Sequence, residues 1–181
     1  MNYKEEPFLE INNDLQLRLD EIAERIKTQL ITPGEYLVFN DHSKFGRKEF
    51  KNFWKHISIN NENGNKYSKN EYKGIYAFGE VVDGDLRVLY IGISKTIRRR
   101  FFGHSTMKEK NAATWAYTIL KHQNPLLSKE ERQALIPELQ NTLIKNCRFT
   151  FVKEDSNMLM HLAEVYCANK LKSYWNSFET H

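Results

Sequence analysis

Cysteine is scarce in this chain, with only Cys147 and Cys167 among 181 residues, and the two show no metal-ligand spacing. Each falls in an apolar stretch, which points to reduced core thiols in a cytoplasmic protein, with a disulfide as the lesser alternative. No run of about eighteen apolar residues occurs, so no membrane span is expected. The start, Met1-Asn2-Tyr3-Lys4-Glu5-Glu6, has no apolar stretch behind a basic opening, so no signal peptide is expected either. There is no internal repeat, and no zinc finger or helix-turn-helix pattern is recognisable.

What is present suffices for one packed core: 40% of the residues are hydrophobic, enough for a single globular unit with an appendage but scarcely for two domains. Net charge is only +4, yet it is unevenly spread. Residues 1–35 hold four basic and eight acidic side chains, whereas 36–181 hold 23 basic and 15 acidic, an excess of eight positive charges. Such an excess favours polyanion partners, although many soluble proteins carry as much.

Asn12 to Asp14 can cap a helix on which Leu15, Leu19, Ile22, Ile26 and Leu30 recur at helical spacing, ending near Thr32-Pro33-Gly34. Tyr36 to Phe39 reads as a short strand, and Phe50, Phe53, Trp54 and Ile57 as a second helical stripe. Residues 58–71 are polar and Asn-rich, marking a boundary between an extension over 1–70 and a main module over 71–181. Lys73 to Val82 and Leu86 to Gly92 are rich in β-branched and aromatic residues, with Asp83-Gly84-Asp85 as turn chemistry between them, so a hairpin is expected. Ser94 is positioned to cap a helix through about Gly103. Ala112 to His122 reads as another helix, in which Trp115 and Tyr117 are expected to be core. Ser128 and Glu131 form a capping-box pattern for a short helix that Pro137 disturbs. A third strand is expected over Cys147 to Val152, and a last helix, capped by Ser156 or Asn157, to about Lys172.

Helical geometry sorts the charged residues. At about 100° per residue, Ile97, Arg100, Phe101 and His104 share one face while Arg98 and Arg99 project elsewhere. Arg100 either points inward to a purpose or snorkels past the aromatic face to water. On the last helix, Glu164 has Met160 four residues before it, with Cys167, Ala168 and Leu171 following on the same stripe. An acid there requires a buried salt bridge, a bound cation or a boundary position.

The triplets Gly74-Ile75-Tyr76 and Tyr90-Ile91-Gly92, followed by Ser94, Arg100 and His104 and later by Glu164 and Asn176, together resemble the GIY-YIG nucleases over about residues 74–176. Each triplet alone is a weak signal; the ordered combination is strong. The hairpin is slightly long for that family, and the segment from Asn111 to Lys145 is longer than in its compact members. The resemblance implies an α/β fold of the α+β kind: a small, three-stranded, mainly antiparallel sheet flanked by helices, with residues 1–70 a helical N-terminal extension of unassigned role.

It also implies a divalent-metal-dependent DNA endonuclease. Glu164 would hold Mg²⁺, for which Mn²⁺ may be exchanged, and Arg100 would contact the scissile phosphate with its planar donor fork. Tyr76 would serve as general base, Tyr90 and His104 would orient it and the attacking water, and Asn176 would support the site from behind. Read without the resemblance, Tyr90 is a packing residue of its strand and His104 a surface group after a helix end. Gly74 and Gly92 are expected to permit close backbone approach. Lys95, Arg98 and Arg99 are candidate DNA contacts, as is the stretch Lys44 to Lys48 around Phe45, with a solvated face as the default for both. Double-strand cleavage would need two active sites or two passes, which a homodimer would provide. The alternative is a nucleic-acid-binding module on the same fold that does not cut.

Overall fold

In the computed structural model, which describes residues 13–40, 72–109 and 111–176, two helices and four strands frame three further helices. The elements are α1 (Asn13–Ile31), β1 (Leu37–Val38), β2 (Gly74–Val82), β3 (Asp85–Ser94) and α2 (Ile97–Thr106). After them come α3 (Thr114–Gln123), α4 (Lys129–Thr142), β4 (Arg148–Lys153) and α5 (Asn157–Lys170). The strands form one antiparallel sheet in the order β1-β4-β2-β3. The α+β class is as expected, but the sheet has four strands rather than three. The Leu37–Val38 run adds to β4, with Leu37 opposite Phe149 and almost wholly buried. The predicted stripe of residues 50–57, the boundary loop and the Lys44 to Lys48 stretch lie outside the described residues. No helix among the described residues is long and apolar enough to cross a membrane.

The hairpin forms for the reason its turn residues supply. Asp83 and Gly84 have φ of 54° and 89°, the left-handed pair that a two-residue turn between right-twisted strands requires. The pairing slips between Phe78 and Gly79, where Leu89 is the extra residue of a bulge in β3. The bulge turns Leu89 and Tyr90, neighbours in sequence, into the same core.

The sheet buries both faces. On one, Tyr76, Phe78, Phe149 and Phe151 pack with Ile97 and Phe101 of α2, Trp115 and Tyr117 of α3 and Ile136 of α4. On the other, Ile75, Ala77, Ile91 and Val152 meet α1 and α5. All five predicted stripe residues of α1 are buried there, so the helical part of the N-terminal extension shares a core with the sheet. Asp20 of α1 accepts hydrogen bonds from Tyr166 and Lys170 of α5, and the Lys170 bond pulls its carboxyl down to about 2.

Two local expectations are corrected. Ser94 does not cap α2: it ends β3, its hydroxyl accepts from the Thr96 N–H at 3.0 Å, and the helix begins at Ile97 with Thr96 at the cap position. Pro137 does not cut α4 short, because buried Ile136 and Gln140 anchor the helix on either side of it. The Ser128–Glu131 capping box and the Ser156 cap of α5 form as read.

Candidate active site

Tyr76 projects from the middle of the sheet with 1% of its surface exposed. Its hydroxyl lies 2.9 Å from His104 Nε2 and accepts from Arg100 Nε at 3.1 Å. Both partners come from α2, one turn apart, as the shared helical face requires. Gly92 is opposite Tyr76 in the strand pairing, and an added Cβ there would sit 2.5 Å from the phenol oxygen. The second triplet's glycine is thus the space that the first triplet's tyrosine fills. Gly74 has a comparable duty toward β4, where a Cβ would meet the Val152 carbonyl at 2.1 Å.

His104 is fully buried within α2 rather than a surface group beyond its end. Its backbone carbonyl, and that of Met107, accept from the amide of buried Gln140 on α4, each at 2.8 Å. Those acceptors are of the kind a helix end leaves unpaired, so Gln140 closes the C-terminus of α2 and fixes the histidine's backbone. Its ring Nδ1 has no hydrogen-bond partner among the described residues. Burial, and then the Arg100 charge, hold the imidazole well below its ordinary range, so it is neutral.

Arg100 does not snorkel to water. Besides Tyr76, its Nη1 donates to the Asn111 carbonyl at 2.9 Å and the Ala112 carbonyl at 3.4 Å, and its Nη2 to Thr114 Oγ1 at 2.9 Å. All three guanidinium nitrogens therefore have protein acceptors among the described residues, which holds the guanidinium plane in one orientation. The acceptors belong to the turn entering α3. Sequence reasoning missed them, since two are backbone carbonyls and the third is one threonine among many. The side of Arg100 facing away from the core opens on a cavity of about 580 Å³ lined also by Ser94, Thr96, Arg99 and Asn111.

Tyr90 is half-buried, with its ring centroid 6.1 Å from that of Tyr76 and stacked on Trp115. It therefore packs as a strand residue, and its hydroxyl also couples to Arg100 and Tyr76. Burial raises both phenols above the ordinary value, Tyr76 well above it, with Tyr90 adding to the rise and Arg100 opposing it.

Glu164 lies on α5, which covers the opposite face of the sheet from Tyr76. It is half-buried, and no salt bridge reaches it among the described residues. Burial raises its carboxyl, while the charges of His161 and Arg100 pull it down. Its charge also acts on Tyr90. Glu164 and Arg100 thus stand on α5 and α2, the two helices that flank the edge strand β3 from either side. Of the three accounts the sequence left open for this acid, the buried salt bridge is excluded among the described residues.

Asn176 clasps the backbone of Ile91, the centre of the second triplet. Its Oδ1 accepts from the Ile91 N–H at 2.8 Å, and its Nδ2 donates to the Ile91 carbonyl at 2.7 Å. Lys95, Arg98 and Arg99 are exposed around the start of α2.

No protein-family model, curated protein or solved structure matches the chain. What the arrangement can do rests on its own chemistry. No group of three or more histidine, cysteine or acidic side chains among the described residues could hold a metal ion. A half-buried carboxylate without an ion pair among the described residues, such as Glu164, suits a different kind of ion, one that keeps most of its waters and takes only one or two protein carboxylates, as Mg²⁺ does.

Proposed function

We propose that this chain is a divalent-metal-dependent endonuclease of the GIY-YIG kind, hydrolysing phosphodiester bonds in DNA. The observation that carries the proposal is the Tyr76 hydroxyl held between Arg100 Nε and His104 Nε2, with the half-buried carboxylate of Glu164, which no salt bridge reaches among the described residues, on α5 where it packs against β3. Glu164 would hold Mg²⁺, or Mn²⁺ in its place. That ion, when bound, supplies charge stabilisation at the phosphate and at the departing 3′ oxygen.

The chain's own groups supply the rest. Tyr76, as the phenolate left once its own proton has passed to solvent, takes the proton from the attacking water. This is demanding, because burial disfavours the phenolate. Arg100 Nε–H offsets part of that cost, and the His104 tautomer protonated on Nε2 offsets more by donating to the same oxygen. That tautomer also leaves no buried N–H on Nδ1 without an acceptor. Arg100 presents its charge to the scissile phosphate from an orientation already held by Asn111, Ala112 and Thr114. Tyr90 orients the water, and Asn176 keeps the strand that carries Tyr90 in register.

One observation favours a second reading, a nucleic-acid-binding module that does not cut. Tyr76 is 1% exposed, so water meets its oxygen only if a neighbour shifts. Supercoiled plasmid incubated with Mg²⁺ or Mn²⁺ separates the two. Nicking by the wild type and none by Glu164→Ala supports the nuclease; binding without nicking across several nucleic-acid forms establishes the second reading in its place.

A further inference from the structure

Ile93 and Ser94, the last two residues of β3, form a common wall between two cavities. The larger is the one beside Arg100. The smaller, of about 380 Å³, lies on the α5 side and is lined by Ile93, Ser94, Lys95, Asn157, Met160 and His161. We propose that this smaller cavity is a second phosphate subsite, taking the phosphate next to the scissile one, with Lys95, His161 and the Ser94 hydroxyl as its donors. The assignment rests on the nuclease reading for the identity of the neighbouring phosphate.

The chemistry of the lining matches a phosphate. None of the six lining residues is acidic, and two can carry positive charge. Lys95 brings three donors on an exposed stem. The Ser94 oxygen already accepts from the Thr96 N–H, which leaves its own O–H to donate. His161 offers an N–H in either neutral tautomer. It also sits three residues before Glu164, on the same face of α5.

The position follows from the shared wall. A strand laid across the end of β3 passes from Arg99 and Arg100 on one side of Ser94 to Lys95 and His161 on the other. The basic run is divided accordingly: Lys95 lines one cavity and Arg99 the other, whereas Arg98 lines neither. His161 is a residue that no feature of the sequence singled out.

The test is anisotropy of a labelled DNA duplex, in EDTA and again with Ca²⁺, for wild type, Lys95→Gln, His161→Ala, His161→Gln and the Lys95→Gln/His161→Ala double variant. Both side chains are exposed, so the variants keep the wild-type melting temperature. Lys95→Gln is expected to lower the slope of log affinity against log salt by about 0.9. Lys95→Gln and His161→Ala should each weaken binding roughly 3- to 10-fold, and His161→Gln, which retains an N–H, should recover most of that loss. Two donors on one phosphate make the double variant weaker by clearly less than the product of the single effects. Wild-type affinity in both single variants, or losses that simply multiply, would overturn the subsite. A wild type that binds no duplex overturns it together with the nuclease reading, whereas the expected binding pattern without any plasmid nicking overturns the nuclease reading alone.

Discussion

Replacing Gly92 with alanine is the sharpest single perturbation of the proposed site, because the glycine never touches substrate in this account. The new Cβ would lie 2.5 Å from the Tyr76 oxygen, 2.6 Å from Cζ and 3.0 Å from Cε1. Ordinary contact requires about 3.5 Å, so the phenol must recede by about 1 Å. The ring cannot swing freely, since Phe78, Tyr90, His104 and Phe149 surround it with centroids 5.7–6.1 Å away. A shift of about 1 Å takes the oxygen out of hydrogen-bonding geometry with His104 and Arg100, from which it now lies 2.9 and 3.1 Å. Two lost bonds cost about 1 kcal/mol each, and overpacking adds about 1–3 kcal/mol, so destabilisation of about 3–5 kcal/mol is expected. If the phenol oxygen is the base, a displacement of that size costs on the order of 100-fold in nicking rate. Urea denaturation and plasmid nicking, measured on protein shown to be folded by circular dichroism, check the two effects separately. A stable Gly92→Ala with the wild-type nicking rate would refute the reasoning. A destabilised variant with the wild-type rate would show that the phenol's position matters to folding alone.

Arg100→Lys should reduce nicking by at least about 100-fold, because one ammonium cannot satisfy Tyr76, two carbonyls and Thr114 at once; a rate within threefold of wild type would contradict the described geometry. Thr114→Val removes one of those acceptors and should slow nicking about tenfold while costing only about 1 kcal/mol in stability, with Thr114→Ser restoring the rate. Gln140→Leu leaves two carbonyls at the end of α2 without donors and should destabilise by about 2–3 kcal/mol in urea denaturation. His104 predicts a pH dependence. Its folded value is depressed by burial among Tyr76, Phe78, Tyr90 and Trp115, and by the charge of Arg100, so only the unfolded chain takes up its proton at mildly acidic pH. The neutral imidazole's contribution is complete above about pH 6.5 and erodes below it, by up to about 1.4 kcal/mol per pH unit. Urea midpoints of wild type and His104→Gln should therefore converge as pH falls from about 7.5 to 5.

Periodicity and turn chemistry carried much of the fold. The apolar spacing of α1, the Asp83-Gly84 turn and the caps at Ser128 and Ser156 are local signals, and each formed as its residues implied. The errors arose where tertiary contacts decide. Leu37–Val38 is too short to declare itself a strand until β4 offers its edge, and Pro137 breaks a helix only if packing on both sides fails to hold it. Ser94 carried the residue type of a helix cap, but strand pairing with Gly74 kept it in β3. Within the site, the side chains on the inner face of α2 were legible because helical geometry puts Arg100 and His104 on one line. The Gly92 pocket for Tyr76 was legible only as a need for close approach, without its occupant. The acceptors around Arg100 and the closure of α2 by Gln140 were not legible, since backbone carbonyls leave no trace in residue identity and Gln140 lies 36 positions from the carbonyl it caps.

Segment 173–176 has a bearing on how this molecule behaves in company. Tyr174 and Trp175 donate their N–H groups to the Val88 and Leu89 carbonyls, and the Asn176 carboxamide then satisfies Ile91 on both sides, as a peptide group of an adjoining strand would. A carboxamide ends where it stands, offering no further ladder to a neighbour. The outer rim at Val88 to Ile91 is thereby closed to strand exchange with another copy, and Asn176→Ala should reveal this as concentration-dependent association at that rim.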